Sequence, residues 1–67
     1  MENRFVKYFE AQIGSMLMQV NCMSKKQYEE CLTFLFEKYP DMELIYREWS
    51  DGTEEDGLIE KEDWFNG

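Results

Sequence analysis

The stretch F-V-K-Y-F-E-A-Q-I-G-S-M-L-M-Q-V-N-C, residues 5–22, admits two readings, and the choice between them sets the fold. Phe5, Phe9, Ile13, Met16 and Val20 recur at three- and four-residue spacing, with Val6 and Leu17 beside them, as on one face of a helix. Glu10, Ala11, Gln12 and Met18 between them are good helix formers. Against this, Gly14 costs about 1 kcal/mol in a helix interior relative to alanine. Met16, Met18, Val20 and Cys22 also alternate as one face of a strand does, and Ile13-Gly14-Ser15 offers a turn. Helix is the preferred reading, and a hairpin is the alternative.

The next element is plainer. Ser24 and Gln27 form an S-x-x-Q capping box, in which hydroxyl and amide satisfy orphan backbone donors. Tyr28, Cys31, Leu32, Leu35, Phe36 and Tyr39 then make one apolar stripe, with Glu29, Glu30, Glu37 and Lys38 mostly off it. Pro40 disfavours helical geometry at Tyr39 and ends the helix. After it, E-L-I-Y-R-E-W (residues 43–49) carries the strand-type residues Ile45, Tyr46 and Trp49. Asp51-Gly52 and Asp56-Gly57 are turn signals within an acidic loop. Residues 58–65 are expected to return as a second strand. A helix over residues 42–49 is permitted by the spacing of Leu44, Ile45, Glu48 and Trp49. The expected fold class is α+β: a small single domain over residues 1–67, one or two N-terminal helices followed by an acidic C-terminal β-hairpin. That hairpin would pack through Ile45, Trp49, Ile59 and Trp64. The alternative is N-terminal hairpin, then helix, then hairpin.

Charge divides the chain at Pro40. Asp41, Glu43, Glu48, Asp51, Glu54, Glu55, Asp56, Glu60, Glu62 and Asp63 face only Arg47 and Lys61, so residues 41–67 carry 2 − 10 = −8. Five acids and five bases cancel in residues 1–40. An acidic surface repels nucleic acid and anionic lipid and attracts basic proteins or cations. The plain alternative is a solvated face that keeps a small domain in solution. At 67 residues the core is marginal, and domains of this size are usually stapled by disulfides, a metal or a partner subunit. Two cysteines, Cys22 and Cys31, allow one disulfide at most, and reduced thiols in a cytoplasmic protein are the expectation. A homodimer is therefore the expected staple, with Phe5, Phe9, Ile13, Leu32, Leu35 and Phe36 supplying core and dimer contact. No secretory leader is recognised. The apolar runs Met16-Leu17-Met18 and Phe34-Leu35-Phe36 fall far short of the roughly 20 residues a membrane span needs.

Catalysis finds little support. The chain has no histidine, no G-x-S-x-G, no P-loop and no zinc-type cysteine cluster. Cys31 lies on the apolar stripe, where a structural thiol is expected, not a nucleophile. No enzyme, cofactor or metal is therefore expected. Residues 52–63, G-T-E-E-D-G-L-I-E-K-E-D, resemble the later part of an EF-hand calcium loop through Asp56, Gly57, Ile59 and Asp63. The first loop position is Gly52, which brings no side-chain ligand, and a solvated acidic turn is the preferred reading.

In size, acidity and lack of catalytic residues, the chain resembles the small acidic inhibitors made by bacteriophages. Among them are DNA mimics that occupy nucleoid proteins, uracil-DNA glycosylase, restriction enzymes or CRISPR effectors. The resemblance lies in composition and charge layout over the whole chain and carries no motif. It implies a basic nucleic-acid-binding protein as partner, no direct contact with nucleic acid or membrane, and the host cytoplasm as location. The ten acids of residues 41–63 are then the partner-binding candidates. An adaptor or inhibitor binding through exposed aromatics is the alternative, with Trp49, Trp64 and Phe65 as candidates, since Trp and Tyr are enriched at binding hot spots.

Overall fold

A computed structural model describes residues 4–67. Six elements follow in order: β1 (Val6–Ile13), β2 (Met16–Asn21), α1 (Lys25–Lys38), β3 (Glu43–Trp49), β4 (Glu54–Glu60) and α2 (Lys61–Asn66). The strands form one antiparallel sheet in the order β2-β1-β3-β4.

The expectation of N-terminal helices is overturned. Residues 6–21 are a hairpin that turns at Gly14 and Ser15. Gly14 has φ +59 and Ser15 is not among the positive-φ residues, the pattern of a type II′ turn, whose twist matches that of paired strands. Aromatic and β-branched residues (Val6, Tyr8, Phe9, Ile13, Val20) suit the pleated surface. A bulge in β1 adds to the helix-like spacing. Val6 pairs with Trp49 and Tyr8 with Glu48, leaving Lys7 as the extra residue. Val6 and Phe9 thus both point to the core although three positions separate them.

Helix α1 forms where its caps require it. The Ser24 hydroxyl accepts from the Gln27 N–H at 3.1 Å, and the Gln27 side chain accepts from the Met23 N–H at 2.5 Å. Its stripe of Tyr28, Leu32, Leu35 and Phe36 is buried on the sheet. The C-terminal element differs from the expected hairpin in two ways. The turn is shorter, residues 50–53, so Glu54, Glu55 and Asp56 belong to strand β4, not to a loop. The chain then stops being a strand at Glu60, and Trp64 and Phe65 lie on α2. Asp63 accepts from the Glu60 N–H at 3.1 Å and so caps that turn of helix.

The core lies between the helices and one face of the sheet. It comprises Val6, Phe9, Ala11, Cys22, Tyr28, Leu32, Leu35, Phe36, Met42 and Leu44. Full burial of each large apolar side chain contributes about 1.5–3 kcal/mol. Phe9, Leu32 and Phe36 are completely covered, so of the two roles expected of them, core and dimer contact, they fill the core. Trp64 seals one end, edge-on to Tyr28 at 5.6 Å between ring centroids and beside Phe36 at 6.2 Å. Its indole N–H donates to the Thr33 hydroxyl at 3.1 Å. Both cysteines are free thiols, and burial pushes each above its ordinary pKa. Among the described residues, no helix is long and apolar enough to cross a membrane.

Candidate functional site

Helices cover one face of the sheet, and strand registry defines what lies on the other. Side chains alternate between faces along each strand. The paired residues therefore fall into rows that run across all four strands. On the helix side, Val20, Phe9, Arg47 and Glu55 form one row and Met18, Ala11, Leu44 and Ile59 the next. On the open side the rows are Asn21, Tyr8, Glu48 and Glu54; then Gln19, Glu10, Tyr46 and Asp56; then Leu17, Gln12, Glu43 and Glu60. Six carboxylates (Glu10, Glu43, Glu48, Glu54, Asp56 and Glu60) thus share one face by register.

Two tyrosines interleave with them. The Tyr8 hydroxyl donates to Glu10 at 2.5 Å, and Tyr46 lies within reach of Glu48 at 2.8 Å and Glu54 at 3.0 Å. The rings meet edge to face at 6.0 Å. A phenol has one proton to donate, so two carboxylates share that of Tyr46. The bond to Glu48 raises the Tyr46 pKa above its ordinary value, and the bond to Glu10 does the same for Tyr8, because ionising either phenol would set it against a carboxylate. Glu48 stands directly opposite Glu54, and Glu43 opposite Glu60, which is destabilising for like charges in a cross-strand pair. Lys7, displaced by the bulge, is the cation that borders the shallow hollow formed with Tyr8, Glu10, Asn21, Tyr46 and Glu48.

The other acids do different work. Glu55 turns to the helix side, where it pairs with Arg47 at 3.0 Å and accepts from the Trp49 indole at 2.5 Å. Asp51 lies in the β3–β4 turn, accepts from the Thr53 N–H at 2.9 Å and pairs with Arg4 at 2.9 Å. The bonds from Thr53, followed by Arg4, hold its pKa below the usual carboxylate value. Asp41 is exposed in the turn after Pro40, and Glu62 and Asp63 are exposed on α2. The sheet therefore gathers Glu43, Glu48, Glu54, Asp56 and Glu60 and leaves Asp41, Asp51, Glu55, Glu62 and Asp63 elsewhere. Glu10 joins the group from the charge-neutral half, with Tyr8 and Tyr46, and neither Glu10 nor Tyr8 was expected there. The alternation Tyr8, Glu10, Gln12 is the sequence signal that points to this face.

The aromatic candidates separate as well. Trp49 is half-buried, with the Arg4 guanidinium 3.8 Å and that of Arg47 5.7 Å from its ring centroid. Trp64 is packed as described, and Phe65 is 44% exposed. Residues 54–60 run as strand β4 and residues 61–66 as helix α2, so Glu54 and Asp63 lie on different elements and not in one continuous loop. Among the described residues, no group of three or more acids and cysteines is placed to hold a metal ion.

No family model matches the chain, and neither a curated protein nor a solved structure shows a significant match to it.

Proposed function

We propose that this chain is a non-catalytic inhibitor that occupies the basic surface of a nucleic-acid-binding protein with the open face of its sheet. The observation that carries the proposal is the sorting of charge by strand register. Three rows spaced two residues apart span about 13 Å, from a rise of about 3.3–3.4 Å per residue. A duplex carries about eight phosphates over that length, at one per about 1.7 Å. Six carboxylates over the same length are a comparable charge density. A groove lined with Lys and Arg gains from such an array as it does from phosphate, through paired charges and released counterions. Shared phenol protons add to the argument, because the carboxylates retain acceptor capacity that a guanidinium fork can fill in bidentate fashion.

Charge reversal tests the reading when the position of the reversal is the variable. The double variant Glu54→Lys/Asp56→Lys alters the face, and Asp41→Lys/Glu62→Lys makes the same change in net charge away from it. Immobilised chain is exposed to nuclease-treated bacterial lysate, eluted with stepped salt and competed with duplex DNA. A basic DNA-binding protein should be captured, released by salt and displaced by DNA. It should be lost in the first variant and retained in the second. Equal retention by both variants, or capture that ignores salt and DNA, would overturn the proposal. In the latter case the exposed Phe65 becomes the contact to test.

A further inference from the structure

The two edges of the sheet differ in a way that the acidic face does not explain. Strand β4 is defended: it carries Glu54, Glu55, Asp56 and Glu60, its register is irregular beside Gly57, and α2 follows directly. Strand β2 reads M-L-M-Q-V-N. It has no charge and no proline, and its pairing with β1 runs without a bulge from Asn21 to Met16. An edge with none of these devices is a template for another strand.

Registry shows which groups the edge offers. In antiparallel pairing, hydrogen-bonded and non-hydrogen-bonded pairs alternate. The Cys22 N–H donates to the Lys7 carbonyl at 2.8 Å, which fixes the phase. Val20, Met18 and Met16 therefore bond inward to Phe9, Ala11 and Ile13. The backbone N–H and C=O of Leu17, Gln19 and Asn21 point away from β1, and among the described residues β2 pairs with β1 alone.

We propose that two copies of this chain pair antiparallel through β2, forming one eight-stranded sheet about a two-fold axis at Gln19. With Gln19 opposite Gln19 of the second copy, Leu17 meets Asn21 and all three outward residues are used, for six backbone hydrogen bonds. Met18 then stands against Val20 on the helix side, and both are apolar residues that the core covers only partly. The same register brings the half-exposed Met16, 52% accessible, opposite Cys22.

Charge favours β2 over β4 as the edge where a second copy can sit. Chains of net charge −8 repel, and β2 is the strand farthest from β4, where the acid is densest. In the joined sheet the two β4 strands are seven strand steps apart, about 34 Å, several times the Debye length of about 8 Å at physiological salt. The two-fold axis stands perpendicular to the sheet, so both acidic faces lie on one side. A strand seam is small for an interface, so association is expected to be weak and to strengthen with salt.

Sedimentation equilibrium of the full chain from micromolar to millimolar concentration, at low and moderate salt, reads the association. Gln19→Pro removes an outward N–H that the monomer does not bond, and should weaken dimerisation about tenfold or more. Gln19→Lys sets like charges opposite each other at the axis while lowering the net charge, so a loss of dimer cannot come from general repulsion. Circular dichroism verifies that each variant is folded. In the unmodified chain, exchange of the Leu17, Gln19 and Asn21 amide protons should slow as concentration rises. A monomer throughout the range overturns the proposal. So does a dimer that either folded variant retains in full, or one that leaves those three amides unprotected.

Discussion

Glu54 and Glu55 are adjacent acids in one strand, and the fold gives them opposite consequences. Glu54 faces Glu48 across β3 and β4 on the open side, whereas Glu55 pairs with Arg47 at 3.0 Å and accepts from the Trp49 indole at 2.5 Å. Replacing either by glutamine changes the net charge from −8 to −7, so the difference between the two variants isolates position. Glu54→Gln removes a like-charge cross-strand pair, a class of contact worth about 0.2–1 kcal/mol, and leaves a carbonyl to accept from Tyr46. Glu55→Gln removes an ion pair whose carboxylate side chain is 40% exposed. Solvent screening limits that pair to about 0.2–1 kcal/mol, and the charge-assisted bond from Trp49 weakens with it. In a domain of this size 1 kcal/mol moves Tm by about 4–8 °C. At low salt, Glu54→Gln should therefore melt about 1–8 °C above the unmodified chain and Glu55→Gln a similar amount below it. Thermal denaturation followed by far-ultraviolet circular dichroism, with urea titration as a second measure, reads both. Shifts of the same sign in the two variants would falsify the assignment of these residues to opposite faces.

Three further outcomes follow from the same geometry. Asp51 has a pKa lowered by Thr53 and Arg4, so its stabilisation is present above the ordinary carboxylate range and is lost as pH falls through the lowered value. Urea titrations should show Asp51→Asn less stable than the unmodified chain near neutrality, with the gap closing in acid; a gap independent of pH contradicts the contact. The Tyr46 pKa is raised chiefly by Glu48, so the fold is stabilised by the neutral phenol and loses that contribution as alkaline pH passes the raised value. An ultraviolet titration should show late-ionising tyrosine, and Glu48→Gln should bring one tyrosine back toward its ordinary range. Added salt should raise Tm by screening the Glu48–Glu54 and Glu43–Glu60 pairs, and Glu54→Gln should show a smaller rise; equal responses contradict repulsion between these pairs.

The parts of the fold that were legible in the sequence are those whose local chemistry agrees with a single period. Helix α1 has a serine cap, a glutamine that bonds back, a stripe at 3.6-residue spacing and a terminating proline, and each points to the same element. The strands are less legible because bulges break their alternation. Lys7 in β1 makes Val6 and Phe9 look like neighbours on a helix. Ile45 in β3 does the same for Leu44 and Arg47: Leu44 pairs with Ala11 and Tyr46 with Glu10, so Ile45 is the extra residue. A two-for-one count in a strand mimics the three-residue step of a helix. Gly14-Ser15 is the signal that resolves the ambiguity. A glycine that costs about 1 kcal/mol within a helix is favourable at the first central position of a II′ turn.

The acidic residues pose a harder problem, because density of charge along a chain does not specify direction in space. Glu54, Glu55 and Asp56 are one run in the sequence and divide between two faces of the sheet. Pleating sends the middle one to Arg47 and its two neighbours to the open side. The same pleating adds Glu10, which the neutral balance of the first 40 residues conceals. What matters for a basic partner is the sum over a face, and that sum depends on which strands are neighbours. Strand order places β3 and β4 together, with β1 between them and the uncharged β2. The result is a sheet whose carboxylate content falls from one edge to the other. Neither the acidity of β4 nor the neutrality of β2 helps the core. Like charges set opposite each other weaken the fold, and a bare edge exposes it to unwanted pairing. Departures from the best arrangement for stability concentrate at sites selected for something else. That both departures lie outside the packed helix side is the physical reason to look for partners at the open face and at the β2 edge.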